Sequence, residues 1–279
     1  MVKSLSCQSK GMLSCGRFQI PYRIFGRGED IVCLNGAQQS MAMWYSFLQR
    51  FGDSYRITLF DFPHQGRAKV DHGSCCVTLD EQVEIMQTVV AHLGIKSATI
   101  CSASWGGVIA LLFALHFPEL TRMLILASFG TKPNARMKKT IIEGVNTKLQ
   151  DRQKMAEVLI KSFGDSLPEM IKKQIFAQFK NMSEERIRAF SEHGLSVIFH
   201  DSLDKIVPLS QIDKRTIILY GEEDKIIDIE DVKSLTHKMP DCQVRVIPGV
   251  GHFLHLEDEK VFKIYEEILL SNNLTPFKS

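Results

Sequence analysis

No apolar stretch of the 279-residue chain approaches the roughly 18 uninterrupted residues that a membrane-crossing helix requires. The longest candidate, residues 108–117, is already broken by His116. Charge of one sign is missing too. Lys and Arg number 34 against 32 Asp and Glu, and no basic run is dense enough to track a phosphate backbone, so no nucleic-acid partner is expected. Residues 1–15 lack the apolar block of a secretory leader, and without it the Leu-Ser-Cys matches ending at Cys7 and Cys15 are not expected to mark lipidation. Cysteine is present but unsuited to a complete disulfide framework: the count is seven, and no two form a C-x-x-C pair. A reducing cytoplasm is the expected location. The adjacent Cys75 and Cys76 suit a redox pair, although scattered reduced thiols are the simpler account. Internal repeats and low-complexity tracts are absent. With 44% hydrophobic and 24% charged residues, the composition excludes disordered, collagen-like and coiled-coil chains and leaves a globular protein of one large or two small domains.

Short apolar runs alternate with longer periodic segments, the signature of strand-helix-strand units and a parallel sheet. The runs are residues 31–34, 57–60, 98–101 and 123–127, and the pattern resumes at 216–220 and 243–247. Between the second and third, Leu79, Val83, Met86, Val90 and Leu93 recur at helical spacing, Thr78 and Glu81 form a capping box, and Gly94 supplies the stop. Residues 108–115 are apolar all round, as a helix buried against a sheet must be. A last amphipathic segment carries Val261, Phe262, Ile264, Tyr265, Ile268 and Leu269. Ahead of the first run, segments around 12–18 and 19–25 read as a hairpin. Residues 131–205 have helical periodicity and no convincing strand, so they are expected to form a helical cap over a core built from 1–130 and 206–279. The cap holds 14 Lys or Arg against 10 Asp or Glu, read as solvated helix faces rather than a docking surface for an acidic partner.

The most informative stretch is Cys101-Ser102-Ala103-Ser104-Trp105-Gly106-Gly107, which ends a strand and opens a helix. A serine at such a turn sits on a strained elbow that exposes its hydroxyl and sets the next backbone N–H over the helix start. Ser104 is the candidate nucleophile, with a helix N-cap serine as the bland alternative. The usual G-x-S-x-G pattern is imperfect here, because Ser102 replaces the first glycine. A serine hydroxyl needs a base, and Gly249-Val250-Gly251-His252-Phe253 follows the last strand where a loop can reach back across the sheet edge. His252 is the candidate. His255 competes but lacks the glycine-rich approach, and without an H-E-x-x-H helix a metal site from His252, His255 and Glu257 is not expected. The base needs a carboxylate to hold its tautomer, and Gly221-Glu222-Glu223-Asp224 places acids at a strand end. Asp224 is favoured, with Glu223 and Asp228 as competitors. An oxyanion hole requires two N–H donors. Trp105 supplies one, and Ala37, in the Asn35-Gly36-Ala37-Gln38 loop after residues 31–34, is the candidate for the other, although a plain Asn-Gly turn has the same spacing. The Asn35 amide is placed to pin that loop.

The chain order Ser104, Asp224, His252 and the strand-end motifs resemble the α/β-hydrolase superfamily, whose fold is a mostly parallel sheet flanked by helices, here with a helical cap insertion. Within it, Asn35-Gly36-Ala37, Leu59-Phe60-Asp61-Phe62-Pro63, Ser102-Ala103-Ser104-Trp105-Gly106-Gly107 and Gly251-His252-Phe253-Leu254 look like the hydroxyalkanoyloxyalkanoic acid synthases of rhamnolipid biosynthesis, also called the A subunit of rhamnosyltransferase. That resemblance implies transfer of a hydroxyacyl group from a coenzyme A or acyl-carrier thioester to a second hydroxyacyl unit and accounts for both Ser102 and Asn35; no cofactor is expected. It does not extend to residues 131–205. Related enzymes that open epoxides or remove halides would be expected to use an Asp nucleophile, which Ser104 argues against. The competing expectations are a carboxylesterase that uses water as acceptor and an idle receptor of the same fold.

Overall fold

The computed structural model describes residues 6–73, 76–147, 151–199 and 202–272. Among the described residues, nine strands run β1 (Cys7–Cys15), β2 (Phe18–Phe25), β3 (Glu29–Leu34), β4 (Tyr55–Phe60), β5 (Lys69–Val70), β6 (Ala98–Ala103), β7 (Thr121–Ala127), β8 (Thr216–Gly221) and β9 (Cys242–Ile247). The helices are α1 (Tyr45–Phe51), α2 (Leu79–His92), α3 (Gly106–His116), α4 (Ala135–Asn146), α5 (Arg152–Phe163), α6 (Glu169–Lys180), α7 (Glu184–Phe199), α8 (Ile229–Lys238) and α9 (Val261–Asn272). All strands share one sheet in the order β1-β2-β4-β3-β6-β7-β8-β9, with β5 beside β2. β3 through β9 pair in parallel apart from β5, and β1, β2 and β5 make the antiparallel end.

Alternation along the strands divides the core in two, because successive side chains point to opposite faces. Ile31 and Cys33 of β3, with Met123 and Ile125 of β7, pack under α1 and α9. Val32 and Leu34, with Leu124 and Leu126, pack under α2, α3 and α8. Helices on both faces bury β6 and β8 completely, which is why they read as continuous apolar runs. β9 lies at the edge and keeps exposed residues on its outer face.

The capping box of α2 is present, with Glu81 N–H donating to Thr78 Oγ1 at 3.1 Å and Thr78 N–H to the Glu81 carboxylate at 2.8 Å, and Gly94 ends the turn at φ +65°. The N-terminal hairpin differs from its expected boundaries. It turns at Gly16 (φ +54°), so Phe18 opens the second strand rather than closing the first. Among the described strands and α-helices, α1, α8 and the two-residue β5 have no counterpart in the sequence reading.

Between β7 and β8 the described chain is helical. Asn134 caps α4 by accepting from Met137 N–H at 2.8 Å, Asp151 caps α5, and Gly164 ends it. These helices have a small apolar cluster of their own around Met155, Phe179, Met182 and Ile187. They are tied to the sheet's loops: Gln178 Nε2 donates to the Gln38 carbonyl at 2.8 Å and Arg186 Nη2 to the Gly66 carbonyl at 2.8 Å. At the base, Asp231 of α8 accepts from the Thr131 N–H and hydroxyl.

Candidate active site

Ser104 occupies the turn between β6 and α3 with φ +46°, a left-handed conformation that a residue with a Cβ adopts only under strain. Its N–H is held by the Ala127 carbonyl of β7 at 2.8 Å, and its carbonyl accepts from Gly107 N–H at 2.9 Å. The elbow requires both glycines that follow. A Cβ on Gly106 would lie 2.8 Å from the Leu34 and Asn35 carbonyl oxygens, and one on Gly107 would lie 2.5 Å from the Phe129 ring. Ser102, which stands at the first glycine position of the motif, is fully buried.

Asp224 follows β8, and its two carboxylate oxygens have separate tasks. Oδ1 accepts from Ile226 N–H at 2.8 Å and Ile227 N–H at 3.2 Å, while Oδ2 stands 2.8 Å from His252 Nδ1. Burial pushes the Asp224 carboxyl up, but the His252 ring and the N–H donors outweigh it and hold the group below the ordinary carboxylate range. Its competitors lie elsewhere: Glu223 is exposed, and Asp228 is exposed and accepts from Asn134 Nδ2. Gly221 permits the meeting of the two loops, since a Cβ there would come within 2.2 Å of the Gly251 carbonyl oxygen.

The His252 loop is fixed by groups that the sequence reading missed. Glu257 accepts from Gly251 N–H at 2.6 Å and Phe253 N–H at 2.9 Å, and Ser128 Oγ donates to the His252 carbonyl at 2.5 Å. A carboxylate a few residues beyond a glycine-rich loop was the available signal for the first, and Ser128, at φ +53° directly after β7, was open to the same elbow argument as Ser104. His255 is turned away. Its Nε2 lies 3.2 Å from the Met43 carbonyl, and its ring stacks on Trp44 at 5.2 Å between centroids. His252, His255 and Glu257 therefore serve separate partners.

On the opposite side, Asn35 Nδ2 donates to the Phe60 carbonyl at 3.0 Å and Gln65 Oε1 at 3.1 Å, while its Oδ1 accepts from Trp44 Nε1 at 3.1 Å. The amide pins the loop that carries Ala37. Among the described residues, neither the Ala37 nor the Trp105 N–H donates to a protein acceptor. Ala37, Ser104, Trp105 and His252 all line one cavity of about 260 Å³. Its outer wall comes from the helical insertion, through Met155, Leu159, Ile160, Phe163, Ile175 and Phe179. Phe176 of α6 packs on the insertion's own apolar cluster. Phe163 also packs edge-on to the His252 ring. Of the vicinal cysteines, Cys75 lies outside the described residues, and the exposed Cys76 thiol donates to Glu192 at 2.9 Å.

A mostly parallel sheet with a serine elbow after β6, an acid after β8 and a histidine after β9 has the layout of a known class of protein. Residues 31–259 match the α/β-hydrolase fold family, and the chain belongs to it. It is similar to the (R)-3-hydroxydecanoyl-ACP:CoA transacylase of Pseudomonas putida, 21% identical over 251 residues that cover 89% of this chain and 84% of the relative. It is also similar to the 2-hydroxy-6-oxononadienedioate/2-hydroxy-6-oxononatrienedioate hydrolase of Comamonas testosteroni, 27% identical over 288 residues and 93% of each chain. Among solved structures, an α/β-hydrolase enzyme from a Medee basin deep-sea metagenome library shares the fold at a TM-score of 0.81 and 22% identity, covering 96% of this chain and 99% of the other. The protein is thus an enzyme of the α/β-hydrolase family, and the resemblance to hydroxyacyl-handling members read from its motifs is supported by a transacylase relative, at low identity. Among the described residues no helix is long and apolar enough to cross a membrane.

Proposed function

We propose that the protein is a serine acyl-transfer enzyme acting on a medium-chain hydroxyacyl thioester, carried on coenzyme A or an acyl carrier, through an acyl-enzyme at Ser104. The observation that carries this reading is the joint placement of Ser104, strained at φ +46°, and His252, bonded to Asp224, on one largely apolar cavity. In the reaction, Ser104 Oγ attacks the thioester carbonyl and passes its proton to His252 Nε2, while Asp224 steadies the Nδ1–H and the imidazolium. The N–H groups of Ala37 and Trp105 hold the oxyanion. Collapse breaks the C–S bond, and His252 returns the proton to the leaving thiolate. An acceptor hydroxyl, thiol or water then gives its proton to His252 and attacks the acyl-serine, and Ser104 regains its proton as it leaves.

Residues 131–205 act as a lid on a core of 1–130 and 206–279, and their apolar wall receives the acyl chain and keeps water from the acyl-enzyme. The hydroxyacyl assignment draws on the transacylase relative and on the motifs shared with hydroxyalkanoyloxyalkanoic acid synthases. The free cysteines Cys33 and Cys101, buried in the core, suit work in a reducing cytoplasm. Product analysis tests the acceptor. The protein is incubated with 3-hydroxydecanoyl-coenzyme A and saturating free 3-hydroxydecanoate or a second thiol, and products are read by mass spectrometry. A condensed hydroxyacyl dimer or an exchanged thioester is expected. Free acid alone across chain lengths would replace transfer by simple hydrolysis and leave the serine chemistry in place.

A further inference from the structure

The cavity beside Ser104 is walled mainly by apolar side chains, and one residue that lines it carries a buried nitrogen without a partner. His193, on α7, lines the cavity, and its Nε2 is closed off from solvent with no hydrogen-bond partner in the protein. Buried polar atoms are rarely left in this state, because a lost hydrogen bond to water is not recovered unless something replaces it. The imidazole is also held in place. It stands edge-on to the Trp105 indole with centroids 4.1 Å apart, and the indole Nε1 donates to Gln82 Oε1 of α2 at 3.2 Å. Trp105 follows Ser104 in the chain, and Ser104, Trp105 and His193 line the same cavity.

We propose that His193 Nε2 hydrogen-bonds an oxygen borne on the acyl chain close to its carbonyl, a hydroxyl in the reading above, and so selects oxygenated acyl groups over plain fatty acyl groups. A hydroxyl suits the site because a neutral imidazole nitrogen donates or accepts according to tautomer, and a hydroxyl does both. Burial pushes the His193 pKa down to about 4, which keeps the ring neutral around pH 7 and makes it a hydrogen-bonding group rather than a counter-ion. The apolar residues around it cannot make this distinction, since an apolar pocket rejects an added or missing hydroxyl only weakly, whereas a buried polar partner left unpaired discriminates strongly.

The inference rests on the serine acyl-transfer reading, and the test separates the two. The full chain and its His193→Phe and His193→Gln variants are assayed with p-nitrophenyl 3-hydroxydecanoate and p-nitrophenyl decanoate, with acylation of Ser104 followed by intact mass. His193→Phe keeps a ring against Trp105 and removes the nitrogen. The expected result is a wild-type preference for the hydroxy ester in kcat/KM that falls by about ten- to hundredfold in His193→Phe and is largely restored in His193→Gln. If both esters acylate Ser104 but the ratio of their kcat/KM values is the same in wild type and His193→Phe, His193 serves only to pack the lid and the proposal falls alone. If neither ester acylates Ser104 in the wild type, the acyl-transfer reading falls and takes this proposal with it.

Discussion

Asp224 and Glu257 divide the work of holding His252, one at its ring and the other at the N–H groups of the residues on either side of it, and their removal is expected to leave different traces. Asp224→Asn keeps the packing but lets the amide support the wrong imidazole tautomer, so kcat should fall roughly a thousandfold or more with folding retained. Steady-state assay beside a thermal melt checks this, and near-wild-type turnover would contradict the assignment. Glu257→Gln weakens the two N–H contacts that fix the loop at Gly251 and Phe253. A modest displacement of His252 is expected to cost about a hundredfold in kcat/KM. Unchanged kinetics would show that Ser128 alone suffices to hold the loop. The strand-end positions of the candidates Ser104, Asp224, His252, Ala37 and Trp105 were legible in the sequence because each sits in a short stretch with its own glycines and strand end. Glu257, Ser128 and His193 were not, because their partners come from other segments and only the folded chain brings them together.

The same contrast applies to whole elements. α2 carried all its signals within itself: a capping box, a periodic apolar face and a glycine stop. α1 spans seven residues, too short for periodicity to separate it from a loop, and α8 buries only Val232 and Leu235 in ten residues. Strand order was beyond a sequence reading too, since the runs of β3, β4 and β6 look alike and only their pairing puts β3 between the other two. Close approach between elements also decides what a glycine does. Gly106→Ala drives a Cβ against two backbone oxygens at the β3–α3 contact and is expected to destabilise the protein severely and disable the elbow. Gly144, in the last turn of α4 with nothing within 4 Å of where a Cβ would stand, should respond in the opposite sense. Gly144→Ala is expected to add up to about 1 kcal/mol by removing backbone freedom from the unfolded chain. Urea denaturation of the two variants checks both, and a destabilised Gly144→Ala protein would contradict the account of α4.

Acid stability links the site to the molecule as a whole. His255 is buried neutral against Trp44, and burial, only partly offset by its bond to Met43, pushes its pKa from 6.5 down to about 4. Between those values the unfolded chain binds a proton that the folded protein refuses, so stability is full above about pH 6.5 and declines as the pH falls towards 4. This one group is expected to contribute a loss of about 3 kcal/mol across that window. His255→Phe, which keeps a ring among Trp44, Phe262 and Tyr265, should flatten the decline relative to wild type in denaturation at pH 7 and pH 4.5. Parallel pH profiles would show that His255 does not titrate as its burial implies.

The serine mechanism itself is tested most directly by trapping the intermediate. Wild-type protein and Ser104→Ala are each mixed with 3-hydroxydecanoyl-coenzyme A and, separately, with a fluorophosphonate, and read by intact mass with peptide mapping. The account predicts one adduct of each kind on the wild-type chain, mapped to Ser104, and none on a folded Ser104→Ala variant. An adduct that persists in Ser104→Ala, or that maps to Ser102 or to a cysteine, would contradict it.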